Sequence, residues 1–203
     1  MGIKSYAIGH FALGYLTAKL AGNLTKTKIN VPLVLTLSVA PDIDLLIPFV
    51  EHRGPFHSIL TTIVIFIPAI VLFGKGAFPY LAALLQHSLL GDFITGNVQL
   101  FWPLTTQLYG TGMDIESLAN IIAEWTMLMA MLIGMLKARD LQLLLKPNNS
   151  NIILVIPTLT VLLPSFLAFP LRVPAALIIP HLLMLAIFLA SIFTDVRKAI
   201  QKT

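Results

Sequence analysis

The chain has 203 residues, 57% of them hydrophobic and 11% charged, with a mean hydropathy of +0.90. A soluble domain carries roughly 25% charged residues, so this sequence lacks the polar material to coat a water-facing surface. Its net charge of +4 is spread through loops between apolar runs, which argues against a nucleic-acid interface. Because there is no cysteine, thiolate metal sites, disulfides and cysteine nucleophiles are excluded.

In chain order the pattern predicts an all-α membrane bundle of six or seven spans, forming one domain over 1–203. Residues 5–22 form a Gly/Ala-rich helix with His10, Gly14, Thr17 and Ala21 on one small-residue face. His10 and Lys19 interrupt this run, and no cleavable signal peptide is evident. Residues 31–50 are long enough to span, but Pro41 and Pro48 each remove a backbone donor. A turn at 51–55 leads to a span over 56–73, a reversal at 74–76, and a returning span over 77–96. Residues 97–116 are a long loop without Lys or Arg. Spans over 117–136, 152–169 and 174–194 complete the bundle. The C-terminal helices thus occupy 117–196, and the motif-bearing half is 1–103.

Charge asymmetry orients these spans. With seven spans, Lys19, Lys26, Lys28, Lys75, Lys137, Arg139, Lys146, Arg197, Lys198 and Lys202 are cytoplasmic, against Lys4, Arg53 and Arg172 outside. Six spans, with the first helix re-entrant, move only Lys4. Given that orientation, His10, Asp42, Asp44, His57, His87, Asp92, Glu124 and His181 all fall within roughly 14 Å of the outer surface. A shared depth predicts one polar site in the outer half of the inner (plasma) membrane, facing the extracytoplasmic side.

The chemistry of that site is suggested by residues 41–58. A carboxylate in hydrocarbon costs on the order of 2.5–3.5 kcal/mol, so Asp42 and Asp44 need a partner. Two carboxylates followed by His52 and His57 point to a metal cation. On an ideal helix Asp42 and Asp44 diverge by about 200°, and a break at Pro41 would let both turn inward. Asp44 equally suits the N-terminus of the resulting half-helix. His87 and Asp92 are five apart, with Gly91 between them where the helix can bend. Imidazole and carboxylate ligands suit zinc, manganese or iron, as one or two ions. Asn120 and Glu124 share a helix face, and Glu124 reads as a base, a further ligand or a histidine partner. Arg53 is either a loop cation or a phosphate clamp. His181 carries the weakest signal and reads as a packing residue.

The ordered set of His10, PDID at 41–44, HRGPFHS at 52–58, HSLLGD at 87–92, Thr95-Gly96 and Trp102-Pro103 resembles the YdjM-type family. These are inner-membrane proteins predicted to be metal-dependent hydrolases, described as LexA-binding in some members and suspected of phospholipase-like activity. The resemblance spans residues 7–103, and it leads one to expect the later His and Asp four apart rather than five. It implies a metal site; with the residue reading, this leads one to expect a membrane-bound hydrolase acting on a lipid phosphoester, with Asp42, His57, His87 and Asp92 as ligands and His10 and Asp44 next. His52 is a further candidate ligand, Glu124 the base or orienting group, and Arg53 the phosphate contact. Two other classes remain open: an ion- or proton-coupled transporter using the same Asp/His cluster, and a haem protein using His57 and His87. The expected partner is a membrane lipid.

The orientation is checked by reporters. A fusion after Lys202 is expected to read cytoplasmic and an insertion near Thr111 extracytoplasmic; the opposite pattern overturns the sidedness.

Overall fold

A computed structural model describes residues 7–167 and 173–201. Lys4, Arg172 and Lys202 of the orientation count, and the expected helix start at Ser5, lie outside the described residues.

The first helix is the axis of the bundle. α1 (Ala7–Thr25) buries Ala7, Phe11, Tyr15 and Ala18 as well as His10 and Gly14. Its apolar residues surround the whole circumference, and a helix of that kind is stable only when other elements cover every side. Phe11 meets Phe188 edge-on, with ring centroids 5.1 Å apart. Tyr15 joins Leu128, Met131 and Met135 in the main core. At its far end Asp140 accepts from the Tyr15 hydroxyl at 2.8 Å and pairs with the Lys19 ammonium at 2.6 Å.

The expected span over 31–50 is not a continuous helix. α2 (Val31–Leu37) is capped by Asn30, whose side chain accepts from the Leu33 N–H at 3.1 Å. It stops after seven residues, and a 3-10 helix follows over Ala40–Leu46. Pro41 cannot donate, and the Asp42 N–H bonds back only three residues, to the Val39 carbonyl.

α3 (Ile59–Phe73) starts at Ser58, whose hydroxyl accepts from the Thr61 N–H. Gly74 ends it with a φ of 53°, a conformation that costs glycine nothing sterically. The chain then returns through α4 (Phe78–Gln86), a π-helical turn at His87–Asp92, and a last turn at Phe93–Thr95. α5 (Leu118–Lys137) is capped by Ser117. The short α6 (Asp140–Leu144), α7 (Asn151–Phe166) and α8 (Ile178–Ile200) complete the fold.

The fold is all-helical apart from one bridge between Val98 and Tyr109 among the described residues. Three helical stretches are long and apolar enough to cross a membrane: Ile59–Thr95, which reverses at Gly74, Leu118–Lys137 and Ala175–Ile200.

The loop at 97–116 is anchored rather than loose. The Gln99 N–H donates to the Arg53 carbonyl at 2.9 Å and the Ile59 N–H to the Leu100 carbonyl at 3.0 Å. The Ser58 hydroxyl donates to the Trp102 carbonyl at 2.6 Å. Buried Val98 and Leu100 complete a cover over the 51–58 turn.

Candidate metal centre

Three irregular backbone elements and α1 aim their polar side chains at one point. The first is the 3-10 helix. With about three residues per turn, positions two apart diverge by roughly 120° rather than facing opposite ways. Asp42 and Asp44 are therefore both buried, at 0% and 1% exposure, yet serve different neighbours. Asp42 Oδ1 lies 3.6 Å from His57 Nε2 and 3.4 Å from His87 Nε2. Asp44 reaches the other side of His57, with Oδ2 3.1 Å from Nδ1, and its Oδ1 lies 3.0 Å from His52 Nδ1.

The second element is the turn at 51–58. Arg53 adopts a φ of 64°, and a 3-10 turn at Pro55–His57 drives His57 inward to full burial. His57 Nε2 comes to 3.2 Å from Asp92 Oδ2.

The third is the π-helical turn at His87–Asp92. An α-helix separates residues five apart by well over a turn, whereas a π-helix closes its hydrogen bonds at that spacing. His87 and Asp92 thus share a face, with Nε2 and Oδ2 3.4 Å apart. The five-residue spacing, one longer than the resemblance suggested, is accommodated by the wider turn. His10, from α1, stacks on His87 with ring centroids 3.8 Å apart and brings its Nε2 to 3.9 Å from Asp92 Oδ1. Gly91 makes room for this stack, since a methyl group there would fall on the His10 ring.

The tautomers follow from the outer partners. A carbonyl can only accept, so His87 Nδ1 donates to the Ser38 carbonyl at 2.8 Å and leaves Nε2 as a lone pair. The Asp44 carboxylate beside His57 Nδ1 favours the same tautomer there. The two Nε2 atoms then face each other at 3.2 Å, with oxygens of Asp42 and Asp92 beside them. Neither oxygen of Asp42 nor of Asp92 receives a hydrogen bond among the described residues. Converging lone pairs without donors are what a cation satisfies, and the ligand types suit a divalent transition metal. Three overlapping sets have this character: Asp42, Asp44, His52 and His57; His10, Asp42 and His87; His57, His87 and Asp92.

The other candidates lie around this core. Arg53 Nη2 is 3.2 Å from Asp92 Oδ1, its side chain only 16% exposed. Its guanidinium passes over Gly96, where any side chain would displace it. Glu124 belongs to none of the ligand sets. Its Oε2 accepts from the Gly9 N–H at 2.6 Å, near the first described residues of α1. It borders a cavity of about 100 Å³ with His10, Gly91 and Asn120. His181 is separate from the cluster, bonded through Nδ1 to the Leu177 carbonyl at 2.8 Å.

Sequence reasoning missed the supports. Ser38 acts through its carbonyl, which no side-chain motif reveals. Gln86 donates to the carbonyls of His10, Ser38 and Ala83, tying α1, the 38–46 segment and α4 together. An intramembrane amide next to His87 was the available signal.

Gly91→Ala tests the stack. Overpacking of this kind costs on the order of 1–3 kcal/mol and outweighs the helix-propensity gain of up to ~1 kcal/mol. The expected result is a lower unfolding temperature in detergent. Gly76→Ala, where a methyl meets only ordinary contact, should change it little. Equal behaviour of the two variants would mean that His10 is not confined by Gly91.

No curated protein and no solved structure matches the chain. A family model does match, over residues 6–171, which includes every residue of the cluster and all three irregular elements. On that match the chain belongs to the family described as YdjM inner membrane protein.

Proposed function

We propose that this protein is a metal-dependent hydrolase of the inner membrane, acting on a phosphoester of a lipid head group from the extracytoplasmic side. The observation that carries it is the set of donor-free carboxylate oxygens and imidazole lone pairs shared by Asp42, His57, His87 and Asp92. The six- or seven-span topology and the outer-half location come from the charge asymmetry of the loops.

Asp42, His57, His87 and Asp92 would hold the ion, with His10 and His52 at its margins. A divalent transition metal supplies Lewis acidity and lowers the pKa of water to roughly 7, which makes hydroxide available at neutral pH. The chain's own residues do the rest. Asp44 orients both His52 and His57 through their Nδ1 atoms. The Ser38 carbonyl fixes His87. Glu124 holds the first turn of α1, one residue before His10, and this contact supports positioning rather than base catalysis. Arg53, at the partly open edge of the cluster, presents a planar fork able to face two phosphoryl oxygens as their charge grows.

Purified protein is expected to carry one or two equivalents of zinc, manganese or iron. His57→Ala and His87→Ala should lose most of it, and Asp44→Asn should weaken affinity by about 10–100-fold. Chelation should abolish release of head group or phosphate from lipid vesicles, and metal should restore it. Arg53→Lys should lower turnover while sparing metal content. Full metal retention in both histidine variants overturns the site.

A second reading has one observation in its favour. The half-length helix and 3-10 segment over 31–46 resemble the discontinuous helices of ion-coupled transporters. Metal-loaded protein that hydrolyses no lipid of a broad panel but moves ions into liposomes would assign that function instead.

A further inference from the structure

α3 is apolar along its length, yet none of its residues is buried. Val64, Val71 and Leu72 are 64%, 76% and 74% exposed, as a bilayer-facing surface would be. Thr62, Phe66 and Ala69 are half-buried, and their spacing of four and three places them on one stripe facing the bundle. Two of these three are small, so the stripe does not close onto its neighbours.

What it leaves is a seam. At the cluster end, a cavity of about 370 Å³ lies between Pro41 and Ile43 on one wall and Phe56 and Thr62 on the other. Below it, a second of about 500 Å³ lies between Leu37 and Ala69. The walls run in register, because successive turns of α3 face successive residues of the 33–43 segment, over a floor formed by Leu84 and then Tyr80. The two cavities thus lie end to end. Pro41 and Phe56, which border the upper one, are covalently next to Asp42 and His57.

We propose that this seam holds one hydrocarbon tail of a membrane lipid whose head group sits at the Asp/His cluster. The inference rests on the hydrolase reading for the head group but not for the tail. Length supports it: from Thr62 to Phe73 the seam follows eleven residues, or about 16 Å of helix. That matches the ~15 Å reach of one tail, half of a hydrocarbon core of ~30 Å, and on the charge-based orientation the lower end of the seam lies toward the reversal beside Lys75. Charge supports it as well, since Arg53 stands beside the cluster where a phosphate attached to such a tail would lie. The seam walls are mainly Leu, Ile, Pro, Phe and Ala side chains; its polar groups are threonine hydroxyls near the top and, at the bottom, Asn30 and Tyr80, whose oxygens already accept from the Leu33 and Asn30 N–H groups.

The experiment uses the full chain in nanodiscs, with a phospholipid carrying a diazirine near the end of one tail and adducts located by peptide mass spectrometry. Saturable labelling around Ala69 and Phe73 is expected, competed by unlabelled long-chain phospholipid but not by a short-chain analogue. Ala69→Trp should fill the lower seam and weaken that labelling on the order of tenfold, the contribution of one or two buried methylenes. Ala69→Leu is the milder variant should the tryptophan impair folding. Neither change touches the cluster, so metal content should stay constant. Non-saturable labelling spread equally over the outward faces of α3, α5 and α8 overturns the proposal. Unchanged labelling together with loss of an oligomer in Ala69→Trp also overturns it, by assigning the seam to a second copy of the chain. Labelling needs no turnover, so the two readings fail separately. Seam labelling without hydrolysis of any lipid removes the hydrolase reading alone, and hydrolysis of long-chain lipid unaffected by Ala69→Trp removes the seam alone.

Discussion

The cluster is built around two buried carboxylates, Asp42 and Asp92, whose oxygens receive no hydrogen bond among the described residues, although the Arg53 guanidinium stands 3.2 Å from Asp92. Both are 0% exposed, and burying such groups costs several kcal/mol unless positive charge meets them. Protons alone meet them poorly. Protonating both His57 and His87 sets two N–H groups against each other across 3.2 Å. Protonating one ring supplies a single donor for four carboxylate oxygens. Arg53 reaches Asp92 at 3.2 Å, but the nearest polar atoms to Asp42 in the cluster are imidazole nitrogens. A divalent cation would satisfy both imidazole lone pairs and both carboxylates at once, which is why the function proposed above rests on a metal ion and not on a network of ion pairs.

The cost of holding the ligands falls on the backbone. Apart from α1, which carries His10, each contributing segment departs from regular α-helix at its candidate ligands: a 3-10 helix for Asp42 and Asp44, a 3-10 turn for His57, and a π-turn for His87 and Asp92. Such departures have poorer hydrogen-bond geometry than the α-helix and persist where surrounding structure fixes them. Here α1 supplies that support, buried on all sides over Ala7–Ala12 and linked by Gln86 to the two segments that flank it.

This division explains what could be read from the sequence. The apolar runs, the reversal at Gly74 and the helix start at Ser117 follow from local chemistry, and the structure has them, whereas the span expected from Phe56 begins as a helix only at Ile59, after the 3-10 turn at Pro55–His57. The meeting of His10, Asp42, His57, His87 and Asp92 in one cluster was legible because charged groups in apolar runs are too costly to scatter. Helix type was not. Pro41 announces a break but does not say that the chain continues as 3-10 rather than as a second half-helix. The five-residue spacing of His87 and Asp92 fits a π-turn only once the partners across the cluster are known. The role of Glu124 was hidden for a related reason: its bond is to a backbone N–H of α1, and no residue type in α1 marks that donor. The cover at 97–116 was likewise invisible, because it is held mainly by backbone hydrogen bonds.

The contrast between α1 and α3 bears on how such a site would serve the lipid substrate proposed above. Ligands need walls that hold them in place, and those walls are α1, α4 and the cover at 97–116, where side chains are buried and hydrogen bonds converge. A lipid needs a side on which the protein does not close. That side is α3, whose small inward residues leave a seam leading to Pro41 and Phe56. A tighter α3, with leucine at positions 62 and 69, would bury more apolar surface within the chain. The open arrangement gives up that packing, and the hydrocarbon tail of a lipid is the chemistry best matched to take its place.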